Sequence, residues 1–292
     1  RRTCSLPWQG SGCQTAPIPR STPDFEAPGL PPGASLISFS ELLALSLPEF
    51  ELVSGVPGCR LFEAQGYRWL CSSTGAIQSA FCIADPSALV LPNHRAMMLA
   101  ALLGEQVSAV LDLGSGGGGF IRHLKAWVPA PRVSGVEISG DMLHAARQHF
   151  ALPPEQLVHV GDAVDFLGRD GAYYDLVLCD LFSDRSAPEA LGQALFFATL
   201  ARRLKPGGAI AVNTLPDSPA ALFDTMAAAR QHFAGVGVVQ MTELGNVLLF
   251  LPEKLLAADD TLQKRRAGSA YNDDASVARA LCGLRRVENL MS

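Results

Sequence analysis

The spacing of apolar residues changes several times along the chain, and each change marks a different kind of structure. Residues 40–47 read as a short helix capped by Ser38 or Ser40. Between 50 and 81, short aromatic and β-branched runs at 50–53, 60–64, 67–72 and 76–81 are separated by Gly55, Pro57, Gly58, Gln65-Gly66 and Gly75. That pattern predicts a small antiparallel sheet with Gln65-Gly66 as one hairpin turn. From residue 93, Met97, Met98, Ala101 and Leu102 fall on one helical face and Gly104 closes the segment, which predicts a single helix.

A regular alternation follows. Strands are predicted at 109–113, 132–136, 157–160, 175–179 and 209–213. Helices fall between them: one beginning in a glycine loop and carrying Phe120, Ile121, Leu124 and Trp127, then 141–150, a turn at 164–167, a long helix at 190–204, and 220–233. Lys205-Pro206-Gly207-Gly208 is expected to stop the long helix, with Lys205 at its negative end. Segments 235–241 and 246–251 read as a closing antiparallel pair. Strands alternating with helices predict an α/β fold, a Rossmann-like, mostly parallel sheet behind the small N-terminal antiparallel β module. The expected division is a Pro-rich, disordered arm at 1–34, the β module at 35–91, the Rossmann-like domain at 92–253 and a polar helical tail at 254–292.

Chemistry concentrates at residues 107–137. The apolar strand runs into glycines 114 and 116–119, where backbone must turn tightly and approach a ligand closely. Glu137 ends the next strand, 18 residues past Gly119. A carboxylate at about that distance accepts both ribose hydroxyls of a nucleoside. Ligands of open α/β sheets bind at the carboxyl ends of strands, which here carry Asp112 and Gly114, Glu137, Asp162, Asp180 and Asp184, and Asn213. Acids gathered at several strand ends favour a cationic ligand. Asp162 suits an adenine amine or a helix N-cap, roles that can coexist. Asp180 stands among Cys179, Leu181 and Phe182, an apolar setting that suits a carboxylate to proton abstraction. Cys179 reads as a core thiol, and His94 as either a solvated helix residue or a site residue.

Composition narrows the partners. A net charge of -5 over 292 residues offers no bulk attraction to a polyanion, so a small-molecule partner is expected rather than nucleic acid. The seven cysteines are scattered without metal-ligand spacing, so reduced thiols and no metal are expected. No run approaches the roughly 18 apolar residues of a membrane span. With no signal-like layout at residue 1 either, a cytoplasmic protein without membrane contact is the expectation.

Several segments together resemble the class I S-adenosylmethionine-binding fold and, within it, the spermidine synthase (polyamine aminopropyltransferase) family. They are Ala76-Ile77-Gln78-Ser79, Asn93-His94-Arg95-Ala96-Met97, the loop from Gly114 to Arg122, Val136-Glu137-Ile138 and Gly161-Asp162-Ala163. Tyr174-Asp175-Leu176-Val177-Leu178-Cys179-Asp180, Pro188, Phe196-Phe197 and Leu204-Lys205-Pro206-Gly207-Gly208 extend the likeness. The resemblance implies S-adenosylmethionine or its decarboxylated form as co-substrate and a small amine acceptor. It also implies a homodimer. Gln78, Gly114, Gly116, Glu137, Asp162 and Ala163 would bind the nucleoside; Asp180 would be the general base, with His94 and Asp184 near the acceptor. Asp112 is similar to the acid that methyltransferases of this fold carry at the end of their first strand. Three departures separate the chain from the family pattern. Gly117 stands at the loop aspartate, Asn93 replaces a tyrosine, and the segment from Asp180 to Asp184 is one residue longer and more apolar. A family member with altered donor or acceptor is therefore expected. The alternatives are a small-molecule methyltransferase and a catalytically silent nucleoside-binding or interaction protein.

Overall fold

The computed structural model of the chain describes residues 37–104, 106–182, 189–241, 244–252, 259–269, 271 and 274–287. The expected arm at 1–34, Asp184 and Pro188 lie outside the described residues.

Helix α1 (Phe39–Ala44) starts where its capping box places it. The Glu41 amide donates to Ser38 Oγ at 3.2 Å and the Ser38 amide donates back to Glu41 Oε2 at 2.7 Å. Strands β1 (Glu51–Leu52), β2 (Cys59–Ala64), β3 (Tyr67–Ser72) and β4 (Ile77–Cys82) form a four-stranded antiparallel sheet in that order. Gln65 and Gly66 both have positive φ, 51° and 79°, as a two-residue hairpin turn of the right twist demands. Trp69 anchors this sheet: it is fully buried, stacks on Phe62 at 5.6 Å and donates its indole N–H to Ser46 Oγ at 2.9 Å.

The single helix expected from residue 93 is two, α2 (Pro92–Met97) and α3 (Leu99–Leu103). The backbone tightens at Met98, whose N–H reaches Arg95 and whose carbonyl is reached by Ala101, three residues away on each side. Every residue of α3 is buried.

The large sheet is built from β5 (Ala109–Leu113), α4 (Gly119–Lys125), β6 (Arg132–Glu137), α5 (Gly140–His149), β7 (Val158–Val160), α6 (Ala163–Arg169) and β8 (Tyr174–Cys179). It continues through α7 (Ala194–Arg203), β9 (Leu204–Thr214), α8 (Pro219–Arg230), β10 (Val236–Gln240) and β11 (Val247–Pro252). Helices α9 (Asp259–Ala267) and α10 (Ala275–Gly283) and strand β12 (Arg285–Val287) complete it. Strand order is β12-β10-β11-β9-β8-β5-β6-β7. Pairs among β7, β6, β5, β8 and β9 are parallel, while β11 is antiparallel to β9 and β10. Strand β12, which extends the sheet past β10, was not anticipated.

Strands β5 and β8 are buried along their whole length, as parallel strands covered on both faces must be. Val110, Leu176, Leu178, Ala209 and Ala211 face the layer containing α2, α3 and α10; Leu111, Leu113, Val177, Ile210 and Val212 face the layer of α7 and α8. From β5 the chain steps outward through β6 and β7, then returns to β8 on the other side. The crevice at this switch point opens beyond Leu113 and Cys179.

Two sequence expectations are corrected at the edge of this layer. The long helix expected at 190–204 is a short 3-10 turn (Glu189–Gly192) followed by α7, because Gln193 adopts extended backbone as the N-cap. Helix α7 then passes directly into β9 at Leu204, so Lys205 does not cap it. The Lys205 ammonium instead reaches Asp175 Oδ2 at 3.0 Å, which also accepts from the Ser108 amide, the Ser108 hydroxyl and the Ala109 amide. Burial alone would raise the Asp175 carboxyl, but these donors hold it below the usual carboxylate range. This cluster ties β8 to β5 at the end of the sheet away from the crevice.

Candidate functional site

Three glycines shape the turn after β5. Gly114, Gly116 and Gly118 have φ of 84°, 50° and 75°, conformations that side chains with a Cβ rarely adopt. The amides of Gly114 and Ser115 both donate to the Val136 carbonyl, at 2.9 and 3.0 Å, which pins the turn to the end of β6. Glu137 completes that attachment. Its Oε2 accepts from the Gly116 amide at 2.9 Å and its Oε1 from the Ser139 amide at 3.0 Å. An ionised carboxylate offers about four acceptor positions, so two remain for hydroxyl donors.

The small sheet closes over the turn. Ser79 of β4 accepts from the Gly117 amide at 2.8 Å. A Cβ at Gly117 would stand 2.9 Å from Ser79 Cβ and 3.2 Å from Phe150 Cγ, so the space beside this glycine is filled. The Gln78 backbone carbonyl lies 3.8 Å from where a Cβ on Gly116 would be. Arg122 fastens the same seam: its guanidinium donates to the carbonyls of Pro86 and Gly117 and lies 4.9 Å above the Phe81 ring. Burial lowers this guanidinium to about 10.

Asp180, just beyond β8, is held from two sides. His94 Nε2 of α2 lies 2.6 Å from its Oδ2, and Asn213 Nδ2, near the end of β9, donates to its Oδ1 at 2.7 Å. The His94 and Asp180 side chains are 15% and 12% exposed, enough for a ligand to reach them. The His94 ring packs 4.6 Å from Phe120, so its orientation is fixed by α4. Asn213 is itself held, because Asn246 Nδ2 donates to its Oδ1 at 2.9 Å.

Asp112 is the acid without a partner. It is 0% exposed, and neither carboxylate oxygen has a hydrogen-bond partner among the described residues. The Ser115 hydroxyl turns to the Asp112 backbone carbonyl, at 3.3 Å. Burial pushes the Asp112 carboxyl up to about 7; the Ser115 hydroxyl, close to the carboxyl though turned to the backbone carbonyl, and His94 oppose the shift, while Asp180 and Glu137 add to it. An orphaned buried carboxylate among other acids is a position that a cationic group would satisfy.

The remaining candidates are farther out. Asp162 Oδ1 accepts from the amides of Val164 and Asp165, at 2.8 and 3.0 Å, and so caps α6; its other oxygen takes no part in the cap. Ala163 opens that helix and is buried. A cavity of about 440 Å³ lies on this edge, lined by His159, Gly161, Asp162 and Phe166 among others, away from Asp180. Cys179 is wholly buried and burial raises its thiol, as befits a core side chain. Asp184 falls outside the described residues. Among the described residues no group of three or more His, Cys, Asp or Glu side chains is placed to hold a metal. None of the described helices is long and apolar enough to cross a membrane.

Sequence reasoning assigned no role to Ser79 or Asn246. Ser79 ends the segment Ala76-Ile77-Gln78-Ser79, and only the packing of β4 on the turn reveals what it does. Nothing local marks Asn246, whose position follows from the pairing of β11 with β9.

The strand order, the glycine turn and the acids around it define a protein of the class I methyltransferase fold. A family model described as a methyltransferase domain matches residues 110–208. Human methyltransferase-like protein 13 in complex with SAH superposes with a TM-score of 0.56 at 22% identity, covering 69% of this chain and 97% of that one. A probable spermidine synthase from Corynebacterium glutamicum superposes with a TM-score of 0.64 at 17% identity, over 79% of this chain and 87% of that structure. In sequence, the polyamine aminopropyltransferase of Chromobacterium violaceum is 31% identical over 169 residues, 55% of this chain and 63% of the relative. The chain thus spans somewhat under two thirds of the length of that curated relative. The chain has the class I methyltransferase fold, and part of its sequence is similar to that of polyamine aminopropyltransferases.

Proposed function

We propose that the chain is a transferase that binds S-adenosylmethionine or its decarboxylated form and passes an alkyl group to a small amine. The observation that carries this reading is the Asp180 carboxylate, held by His94 at 2.6 Å and Asn213 at 2.7 Å beside the glycine turn. The name of the bacterial relative, polyamine aminopropyltransferase, supports an amine as acceptor.

The residues at hand fit such a donor. Glu137 has acceptor capacity for ribose hydroxyls, and the buried Asp112 carboxylate would accept from an ammonium group of the donor. Gln78, Gly114, Gly116, Asp162 and Ala163 would complete the nucleoside contacts. A sulfonium donor supplies an electrophilic carbon, whose bond to sulfur breaks as the acceptor nitrogen bonds to it. Asp180 takes the proton that the nitrogen loses, and His94 and Asn213 hold the carboxylate in place for it. His94, with Asp184, would border the acceptor.

Methyl transfer from intact S-adenosylmethionine is the second reading. The filled space at Gly117 favours it, because Ser79 and Phe150 occupy the volume where the family's loop aspartate would hold an aminopropyl amine. The proposal also includes a cytoplasmic homodimer and a small module at 35–91; the expected boundary at 253 gives way, because α10 packs into the core of the large sheet and β12 pairs with β10.

Calorimetric titration with both donors, followed by a product assay with putrescine, tests the proposal. Binding of one donor and an alkylated amine are expected. Failure to bind either nucleoside would overturn the enzyme reading.

A further inference from the structure

Asp180 is oriented by a chain of two amides, and the second lies far from the crevice in sequence. Asn213 is 0% exposed and uses both ends of its amide: Nδ2 donates to Asp180 Oδ1 at 2.7 Å, and Oδ1 accepts from Asn246 Nδ2 at 2.9 Å. An amide can turn about its last bond and exchange these ends. Turned, Asn213 would present a carbonyl oxygen to a carboxylate and an N–H₂ to the N–H₂ of Asn246, two repulsive contacts in place of two hydrogen bonds. Asn246 stands just before β11, beside the turn that includes Gly245 (φ 74°), and its backbone carbonyl accepts from Met241 at 2.8 Å. The β10–β11 turn thereby sets where the Asn246 side chain stands.

We propose that Asn246 is a positioning residue that locks the Asn213 amide in the orientation donating to Asp180 Oδ1. A carboxylate anchored at Oδ1 cannot rotate freely. Asp180 also faces His94 of α2, Asp112 of β5 and the adjacent Cys179. Because these three stay unchanged in variants at 246, any effect of such variants travels through Asn213. The role of Asp180 as base rests on the function proposed above; the amide lock does not.

The test is proton–nitrogen NMR of the Asn213 side-chain amide in the full chain, which needs no turnover. In the parent, the Nδ2 protons that face Asp180 should exchange slowly with water, as those of a buried, hydrogen-bonded amide do. Asn246→Ala should speed that exchange by at least about tenfold, and Asn246→Gln, which keeps an amide donor, should restore part of the protection. The backbone amides of β9 and β11 should keep theirs. Unchanged exchange at Asn213 in Asn246→Ala, or an equal loss along the β9 and β11 backbone, would overturn the proposal. If the enzyme reading holds, Asn246→Ala should lower kcat and leave donor affinity alone. A loosened Asn213 amide without any turnover would uphold the lock and count against the enzyme reading alone.

Discussion

Gly114 and Asp180 meet backbone to backbone. The Asp180 amide donates to the Leu113 carbonyl at 2.8 Å, and a Cβ on Gly114 would lie 2.9 Å from the Asp180 carbonyl carbon and closer still to its oxygen. Contact with rigid backbone cannot be relieved by rotating a side chain, and the φ of 84° adds its own cost. Gly114→Ala should therefore destabilise the fold by roughly 3 kcal/mol or more. Urea unfolding of the two proteins checks this; a loss below about 1 kcal/mol would mean that β5 and β8 are not this close.

Gly117 is closed by side chains rather than backbone, so its substitution should be more forgiving. Gly117→Asp places a Cβ against Ser79 and Phe150 and should cost about 1–3 kcal/mol, as overpacking does. Ser79→Gly added to it should recover part of that loss. Thermal melts of the single and double variants decide the matter, and equal melting temperatures for both would show that Ser79 does not fill this space.

Asp112 makes stability depend on pH in a direction opposite to most acids. Its carboxyl is raised by burial from 3.8 in the unfolded chain to about 7 in the fold. The folded state therefore holds the proton more tightly, and the resulting stability is complete below pH 4 and lost as pH rises through 7. The linkage is worth at most about 4 kcal/mol. Asp112→Asn removes this ionisation, so the variant should gain on the parent in melts at pH 8 relative to pH 5, while binding the donor more weakly. A constant difference between the two pH values would show that Asp112 does not carry the shift.

The parts of the site legible in the sequence were those encoded locally. Gly114, Gly116 and Asp180 each follow, and Glu137 ends, a strand whose apolar run is unmistakable, so their place at one end of the sheet could be read off. What escaped depended on contacts between distant segments. The break at Met98 falls inside a run of buried apolar residues, and the apolar sequence continues through it unaltered. Lys205 looked like a helix cap because nothing local shows that Asp175 stands 30 positions earlier, where Lys205 joins three other donors around one oxygen. Strand β12 is three residues long, too short for a periodicity, and exists because β10 offers it an edge. Asn246 is in the same class, set by the β9–β11 register.

The central claim is that Asp180 accepts the acceptor's proton and contributes little to holding the donor. The direct measurement is turnover together with calorimetric donor affinity in Asp180→Asn. Asparagine keeps the shape and can still accept from Asn213, but it cannot take up the proton. The account predicts a loss of turnover of at least about 100-fold, the usual contribution of a positioned base, with donor Kd within about threefold of the parent. Unchanged turnover, or equal losses in affinity and turnover, would contradict it.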